Sequence, residues 1–242
     1  MLKLKPELWI CNLSRRKPDI KSFGERLNHF ACDLSRPADV ARAAREVGEF
    51  LERVAPTGPV LLINNSGFGT MGAFSEADLA KQVEMIDVNV RAVVQLTGLL
   101  LPLLRARGGA IMSVASTAAF QPTPTMATYG ATKAFVLHWS HALNHELRGS
   151  NVRAIVVCPG TTRTEFFKIA GLKEGNRADA MAMTTDEVVR ASLRALGAKR
   201  SQVVTGWKNK LSAFAASPVP KAFATRVCGA VLASYRRMQT KS

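Results

Sequence analysis

Residues 110–133 read AIMSVASTAAFQPTPTMATYGATK, and this stretch carries the prediction of the fold. Its apolar opening, residues 110–114, has the length and composition of a buried strand. A turn-forming segment follows, and a helix-length amphipathic stretch covers residues 129–147. A buried strand followed by an amphipathic helix is the repeating unit of a parallel sheet that is covered by helices.

The same alternation of strand and helix extends over most of the chain. Further strands are predicted at residues 8–13, 28–32, 59–63, 152–157 and 202–204. Further helices are predicted at residues 37–54, 76–104 and 185–196. The pattern predicts an α/β protein with a doubly wound parallel sheet. We expect one domain over residues 1–206 and a basic amphipathic helical tail over residues 207–242.

The composition is that of an ordinary folded chain, with 47% hydrophobic and 21% charged residues among 242. These values argue against disordered, collagen-like and disulfide-scaffold proteins. The longest strongly apolar stretch, residues 92–104, is shorter than the about 18 to 20 residues of a membrane span. The first residues lack the apolar core of a secretory signal, so the expected location is the cytoplasm. The four cysteines form no C-x-x-C pair, and we expect buried, reduced thiols.

The formal net charge of +15 is concentrated near the end of the sequence. Residues 197–242 include nine Lys or Arg residues and no Asp or Glu. Such a block can bind phospholipid headgroups, nucleic acid or an anionic substrate, although a solvated face is the first interpretation of any basic run. Aromatic residues interleave with the cations at Trp207, Phe214, Phe223 and Tyr235. We therefore hypothesise peripheral association with an anionic membrane, and we expect no nucleic-acid partner.

Tyr129 and Lys133 form a candidate catalytic pair. A separation of four residues in a helix brings both side chains to one face. An ammonium beside a phenol favours the phenolate and lowers the pKa of the phenol, which is ordinarily about 10. A lowered pKa suits an acid or base that works near neutral pH. Ser116 follows the predicted strand at residues 110–114, so its hydroxyl is expected over the cleft at the carboxyl end of the sheet.

Six short motifs follow one another along the chain. They are CDLS at 32–35, NNSG at 64–67, DVNV at 87–90, SVAS at 113–116, YGATK at 129–133 and CPGTTRT at 158–164. Together they resemble the short-chain dehydrogenase/reductase (SDR) family over about residues 7–204. A literal G-x-G-x-x-G at Gly67, Gly69 and Gly72 then continues the NNSG turn and is not a dinucleotide fingerprint.

The resemblance implies a Rossmann-like oxidoreductase that uses NADP(H), with NAD as the alternative, on a carbonyl or alcohol substrate. Tyr129 would be the general acid in reduction and the general base in oxidation, while Ser116 would polarise the carbonyl. Lys133 would lower the pKa of Tyr129 and hold the nicotinamide ribose. Asn89 would anchor a water that relays protons to Lys133.

The resemblance also implies a set of cofactor contacts. Asp33 and Asn65 would lie on the adenine side, Tyr129 and Lys133 at the nicotinamide ribose, and Pro159, Gly160 and Thr164 at the carboxamide. Leu34, Ser66 and Gly67 would also contact the cofactor. Arg15 and Arg16 follow the first predicted strand, where a guanidinium can pair with a 2′-phosphate. A solvated basic turn is an equally good interpretation of these two arginines.

One part of the family pattern is missing from the sequence. The first strand and the T-G-x-x-x-G-I-G loop of the family have no counterpart before Leu8. We therefore expect an N-terminally incomplete sheet, whose unit at residues 8–32 is poorly anchored or paired with the strand at residues 59–63. A wrong start site, which we favour, a true truncation with impaired catalysis, and a non-catalytic relative remain as explanations.

Substrate and partners are predicted only by class. Residues 165–183 include Phe166, Phe167, Ile169, Met181 and Met183, which suggest an apolar substrate pocket or core packing. The family implies a homodimer or homotetramer.

Other kinds of site are less consistent with the sequence. His138, His141 and His145 lie near one helical stripe, but interface or core histidines are favoured over ligands, and no metal site is expected. A serine hydrolase would need G-x-S-x-G, which is absent. A non-enzymatic lipid-surface protein is the alternative function.

Overall fold

The computed structural model describes residues 8–19, 24, 26–163, 182–216 and 219–240, with side chains described as far as residue 233. Thr164, most of residues 165–183 and the side chain of Tyr235 lie outside this part of the chain, and the predictions made for them remain untested.

Six strands occur near the predicted positions. They are β1 (Ile10–Ser14), β2 (Leu27–Ala31), β3 (Val60–Asn64), β4 (Gly109–Val114), β5 (Val152–Cys158) and β6 (Gln202–Val204). The α-helices are α1 (Pro37–Val54), α2 (Leu79–Ile86), α3 (Ala92–Arg107), α4 (Ala127–Glu146), α5 (Thr185–Gly197), α6 (Trp207–Ala216) and α7 (Lys221–Thr240).

The helix predicted at residues 76–104 is divided into several parts. A 3-10 turn at Phe74–Glu76 precedes α2, and a π-helical turn at Asp87–Arg91 separates α2 from α3. A π turn inserts an extra residue, and such insertions occur often at functional sites.

The strands form two parallel sheets within the described residues. One has the order β3-β4-β5-β6, and the other pairs β1 with β2. No hydrogen-bonded ladder joins β1 to β3 in the described chain. The expectation that the unit at residues 8–32 would pair with β3 is therefore wrong. That unit makes its own two-stranded sheet, in which Leu13 aligns with Phe30.

Helices cover both faces of the larger sheet, which confirms the doubly wound architecture. Successive strand residues point to opposite faces, so Ile111 packs with α1 and α3 while its neighbour Met112 packs with Ala195 of α5. The first of these clusters also holds the small sheet, because Cys11, Leu13 and Phe30 pack against it. The small sheet is thus anchored by side chains rather than by strand pairing.

The segment Leu79–Arg107 is long and apolar enough to cross a membrane by length and composition alone. It exceeds the stretch recognised in the sequence because α2 and the π turn extend it. Leu96, Leu100 and Leu104 are buried in the cluster between α3 and the sheet. Part of this segment therefore packs as a core helix, whereas Leu79, Val83 and Ile86 are exposed.

Candidate active site

The candidate catalytic residues meet at the carboxyl ends of β3, β4 and β5. Ser116 lies two residues beyond β4, and Tyr129 and Lys133 lie in the first two turns of α4. Asn89 is the middle residue of the π turn, and Gly67 follows β3. The structure therefore brings together residues from four separate motifs.

Ser116 and Tyr129 are in direct contact. Their side chains hydrogen-bond to each other, and both residues are only 9% exposed. The Ser116 hydroxyl also accepts a hydrogen bond from the backbone N–H of Ala118 at 3.1 Å. Because this second contact fixes the serine rotamer, its oxygen is held toward the phenol.

Lys133 lies on the other side of the tyrosine. Its Nζ donates to the carbonyl oxygen of Val114 at 2.9 Å and is 5.9 Å from the centroid of the Tyr129 ring. The side chain is almost fully buried, and burial lowers the pKa of Lys133 to about 8. This lysine is therefore mainly protonated at neutral pH but is close to its titration midpoint.

The pKa of Tyr129 differs from the sequence expectation. Burial raises it above its ordinary value, and the hydrogen bond with Ser116 opposes the rise only in part. The predicted lowering by the Lys133 ammonium is not found, since that group bonds to Val114 and faces the ring rather than the phenol oxygen. Tyr129 is consequently a neutral proton donor at neutral pH.

Asn89 is fixed by a network of backbone and side-chain hydrogen bonds. Its Oδ1 accepts from the N–H of Phe68 at 3.1 Å, and its Nδ2 donates to the carbonyl of Phe68 at 2.9 Å and to Thr132 Oγ1 at 3.1 Å. Thr132 in turn donates to the carbonyl of Tyr129 at 2.7 Å. Asn89 thereby connects the turn after β3 to α4.

Gly67 occupies the narrowest part of this turn. A Cβ at this position would lie 2.9 Å from Asn89 Oδ1 and 3.2 Å from Lys133 Nζ. Any larger residue would push the turn away from the lysine. The predicted roles of Asn89 in anchoring water and of Lys133 in holding a ribose remain predictions, but the two side chains converge on the same backbone position.

The other residues of the larger sheet that were predicted to contact the cofactor lie next to this cluster. Asn65 and Ser66 are exposed at the end of β3, and Pro159 and Gly160 are half-buried at the end of β5. The Asn209 carboxamide of α6 occupies the space that a Cβ of Gly160 would need. The loop after β5 is therefore held in place from the side of α6.

The residues predicted to contact the cofactor after β1 and β2 lie at the ends of the small sheet. In the structure they interact with neighbouring protein groups. Asp33 accepts hydrogen bonds from the backbone and hydroxyl of Ser35, which lower its pKa more than the nearby arginines do. The Leu34 carbonyl accepts from Arg91 at 3.0 Å. Arg15 is exposed and lies 3.7 Å from a carboxylate oxygen of Glu84, and Arg16 is also exposed. In the described part of the chain, these contacts do not reach Ser116, Tyr129 or Lys133.

Three polar residues of the site were missed in the sequence. Thr132 bridges Asn89 and Tyr129, and buried Asn64 donates to Thr97 and Ser113. Thr132 belongs to the YGATK motif and Asn64 to the NNSG motif, so their position within these motifs could have identified them as site residues. Asn209 packs on Gly160 from a distant helix and had no local signal.

The other face of α4 carries the histidines. His141 Nε2 lies 2.7 Å from Gln202 Oε1. His138 and His141 line a cavity of about 790 Å³ that is closed in part by α7 and does not include Ser116, Tyr129 or Lys133 in its lining. No group of three His, Cys, Asp or Glu residues suited to a metal occurs among the described residues.

Known proteins are similar to this chain in both sequence and fold. A family model for short chain dehydrogenases matches residues 12–175. The ketoacyl reductase HetN of Nostoc sp. is 33% identical over 158 residues, which cover 61% of this chain and 52% of HetN. A short-chain dehydrogenase from Sphingobium yanoikuyae in complex with NADPH has a TM-score of 0.65 at 32% identity, covering 76% of this chain and 69% of that one.

A second solved structure agrees with the first. The short-chain dehydrogenase from Burkholderia cenocepacia in complex with NADP has a TM-score of 0.68 at 28% identity, covering 82% of this chain and 77% of that one. Matches to the first curated relatives span between 52% and 66% of their lengths. Since the family match covers more than half of the sequence and includes the residues that meet at the site, the chain belongs to the short-chain dehydrogenase/reductase family.

Proposed function

We propose that this protein is an NADP(H)-dependent oxidoreductase that interconverts a carbonyl compound of apolar character and its alcohol. The observation that carries the proposal is the hydrogen bond between Ser116 and Tyr129, with the buried Lys133 against the tyrosine ring. A hydroxyl pair of this kind can bind one carbonyl oxygen, one group polarising it and the other protonating it.

Tyr129 and Ser116 divide the work on the substrate oxygen. Because burial raises the pKa of Tyr129, the phenol keeps its proton until the substrate oxygen becomes basic. The Ser116 hydroxyl donates to the same oxygen and stabilises its developing charge. The oxidation direction needs the phenolate to accept the proton of the alcohol, and the raised pKa of Tyr129 means that this direction is favoured at high pH.

Lys133 and Asn89 support the proton donor from behind. Lys133, with its pKa lowered to about 8, stays mainly protonated at neutral pH, and its ammonium lies over the Tyr129 ring. Asn89 holds the backbone of Phe68 and the Thr132 hydroxyl, so the turn beside Lys133 keeps its shape.

The residues at the nicotinamide end fit the cofactor. The turn at Gly67 approaches Lys133 so closely that only glycine is accommodated. Bound NADP(H) supplies the hydride. Asn65, Ser66, Pro159 and Gly160 would border it, and Arg15 and Arg16 would pair with a 2′-phosphate. The NADPH and NADP complexes of the two similar dehydrogenases support this choice, with NAD as the alternative.

We also propose self-association through the outer face of α2. Leu79, Val83 and Ile86 are exposed there at a spacing that forms one apolar stripe. Burial of this stripe in a dimer interface would remove it from water. Light scattering after size-exclusion chromatography tests this proposal, and a monomer under all conditions would exclude it.

The decisive experiment measures NADPH consumption with a panel of apolar aldehydes and ketones, with NADH in parallel. The wild-type chain is expected to reduce at least one class of carbonyl. Tyr129→Phe should lower kcat/KM by about 10³-fold, because it removes the proton donor and keeps the ring. Tyr235→Phe makes the same change at the chain's other tyrosine and should leave the rate unchanged. Equal rates for Tyr129→Phe and wild type would refute the assignment.

A further inference from the structure

We propose that α6 and α7 form a docking surface for an anionic lipid bilayer. We call this the tail surface. It is defined by six large apolar side chains: Trp207, Leu211, Phe214, Phe223, Val227 and Val231.

The first half of the tail surface is a stripe along α6. Trp207 is 72% exposed, Leu211 62% and Phe214 79%. Their spacing of four and then three residues brings them to one side of the helix. Lys208 and Lys210 flank the stripe and are exposed, and Lys208 Nζ lies 5.6 Å from the centre of the Trp207 ring. An apolar stripe between lysines is the arrangement of a helix that lies in the plane of a membrane interface.

The opposite face of α6 is attached to the protein. Ala213 is buried, and Asn209 donates to the carbonyl of Thr205 at 2.8 Å and packs on Gly160. The orientation of the helix is thus set by inward contacts. The exposed stripe cannot turn inward without breaking them.

The second half of the tail surface is an exposed apolar stripe along α7. Phe223 is 61% exposed, Val227 49% and Val231 48%, with exposed Arg226 beside them. Lys221, which bonds to Phe120, and Gly229, which lies near Pro124, are on the opposite side of the helix, so this stripe too faces away from the domain.

The inward side of α7 is held by the segment before α4. Lys221 Nζ donates to the carbonyl of Phe120 at 3.3 Å. Gly229 lies so near Pro124 that a Cβ would be 3.4 Å from the proline ring. In both helices, therefore, one face packs against the domain and the other exposes large apolar side chains.

Charge identifies what covers these stripes. Residues 197–242 include nine cations and no carboxylate. A second copy of this surface would bring a second set of cations into contact with the first, and the charges would repel each other. A nucleic acid would match the charge, but it offers no apolar phase for Trp207, Leu211 and Phe214. An anionic bilayer satisfies both requirements, because headgroups attract the cations and the acyl boundary accepts the apolar side chains.

The test is flotation of the full-length protein with phosphatidylcholine vesicles, with and without phosphatidylserine, at low and high salt. We expect binding to the phosphatidylserine vesicles at low salt, and binding to neutral vesicles that is about tenfold weaker or more. High salt should weaken the binding, because it screens the attraction of the cations.

Two pairs of variants separate the apolar and the charged contributions. Trp207→Ser combined with Phe214→Ser should reduce vesicle binding more than about tenfold, whereas Val189→Ser, at another exposed apolar position on α5, should not change it. Lys208→Glu combined with Lys210→Glu should reduce it more than about tenfold, since each cation near the surface contributes about fivefold. The matched control is Arg105→Glu, an exposed cation at the end of α3.

Tryptophan fluorescence shows which residue enters the lipid. Lipids brominated in the acyl chains should quench the wild-type emission, and Trp207→Phe should lose this quenching although Trp9 and Trp139 remain.

Each contrary result overturns the proposal. It fails when the protein does not float, when neutral vesicles bind as strongly as anionic ones, or when the control variants lose as much binding as the tail-surface variants. A change of oligomeric state in the Trp207 and Phe214 variant, without vesicle binding by the wild type, would assign the surface to a second copy. Retention on a DNA duplex but not on vesicles would assign it to nucleic acid.

Discussion

The two sheets carry the two groups of residues that were predicted for the site, and the protein holds these groups in different ways. On the larger sheet Ser116, Tyr129 and Lys133 are buried and hydrogen-bonded to one another or to the backbone. On the small sheet Arg15 is exposed and Asp33 is bonded within its own turn. The contrast indicates that the candidate catalytic side chains are preorganised by burial, whereas the charges proposed to pair with a 2′-phosphate are exposed and screened by solvent.

The largest expected effect on activity comes from replacing the buried Lys133. Lys133→Met removes the ammonium that faces Tyr129 and should lower kcat by about 10³-fold. The fold should tolerate the change, because a buried amine is replaced by an apolar side chain of similar length. Steady-state kinetics and thermal unfolding of the same preparation measure both effects.

A matched control is available on the surface. Lys81→Met removes an exposed lysine whose partner is Glu84, and it should leave both kcat and the melting temperature nearly unchanged. A Lys133→Met enzyme of normal kcat would contradict the role of this residue. Unfolding of that variant alone would show that Lys133 is needed for the structure rather than for the reaction.

The second prediction compares the packing of the two sheets directly. Leu62 of β3 is buried in the main cluster, and Leu13 of β1 is half-buried at its margin. Leu62→Ala should cost about 3 kcal/mol of unfolding free energy and Leu13→Ala about 1 kcal/mol, since the cavity left behind is larger in the closed core. Urea denaturation measures the difference, and equal losses would mean that the small sheet is as firmly packed as the large one.

Hydrogen exchange gives an independent view of the same contrast. Backbone amides of β1 and β2 should exchange faster than those of β4 and β5, which have a hydrogen-bonded strand on each side.

The third prediction concerns the pH dependence that the buried lysine imposes on stability. The pKa of Lys133 is lowered from 10.5 to about 8 in the folded protein, so above that pH the unfolded chain binds more protons than the folded one. Stability should therefore rise with pH through this window, by about 1 kcal/mol between about pH 7 and pH 9. Denaturation of wild type and Lys133→Met at several pH values isolates this contribution, which the variant should lack.

The sequence predicted most of the strands and the cluster of candidate catalytic side chains because both depend on short-range patterns. Apolar runs such as Val152–Cys158 end where polar turns begin, and Tyr129 and Lys133 lie on one face by helical spacing alone. The π turn at Asp87–Arg91 was not foreseen, because one inserted residue leaves the apolar periodicity of a long helix almost unchanged.

Other features could not be predicted because they arise from tertiary contacts. The direction of the pKa shift of Tyr129 is set by burial, which the local sequence does not contain. The separation of β1 and β2 from β3 depends on which strands become neighbours, and the approach of Asn209 to Gly160 joins residues far apart in the chain. Motifs therefore locate the reacting groups more reliably than they predict the state of those groups.

The smallest expected effect lies at the exposed end, where Arg15 and Arg16 follow β1. If one of them pairs with a 2′-phosphate, its removal should raise the KM for NADPH by about threefold and leave the KM for NADH unchanged, because the second cofactor lacks that phosphate. The effect is small because both side chains are exposed, and Arg15 also has Glu84 as a neighbour at 3.7 Å. Arg15→Ala and Arg16→Ala are compared with Arg45→Ala, an exposed arginine on α1 that pairs with Glu49. Equal changes for both cofactors, or none in either variant, would identify the two arginines as a solvated turn, and discrimination would then have to come from other residues around the small sheet.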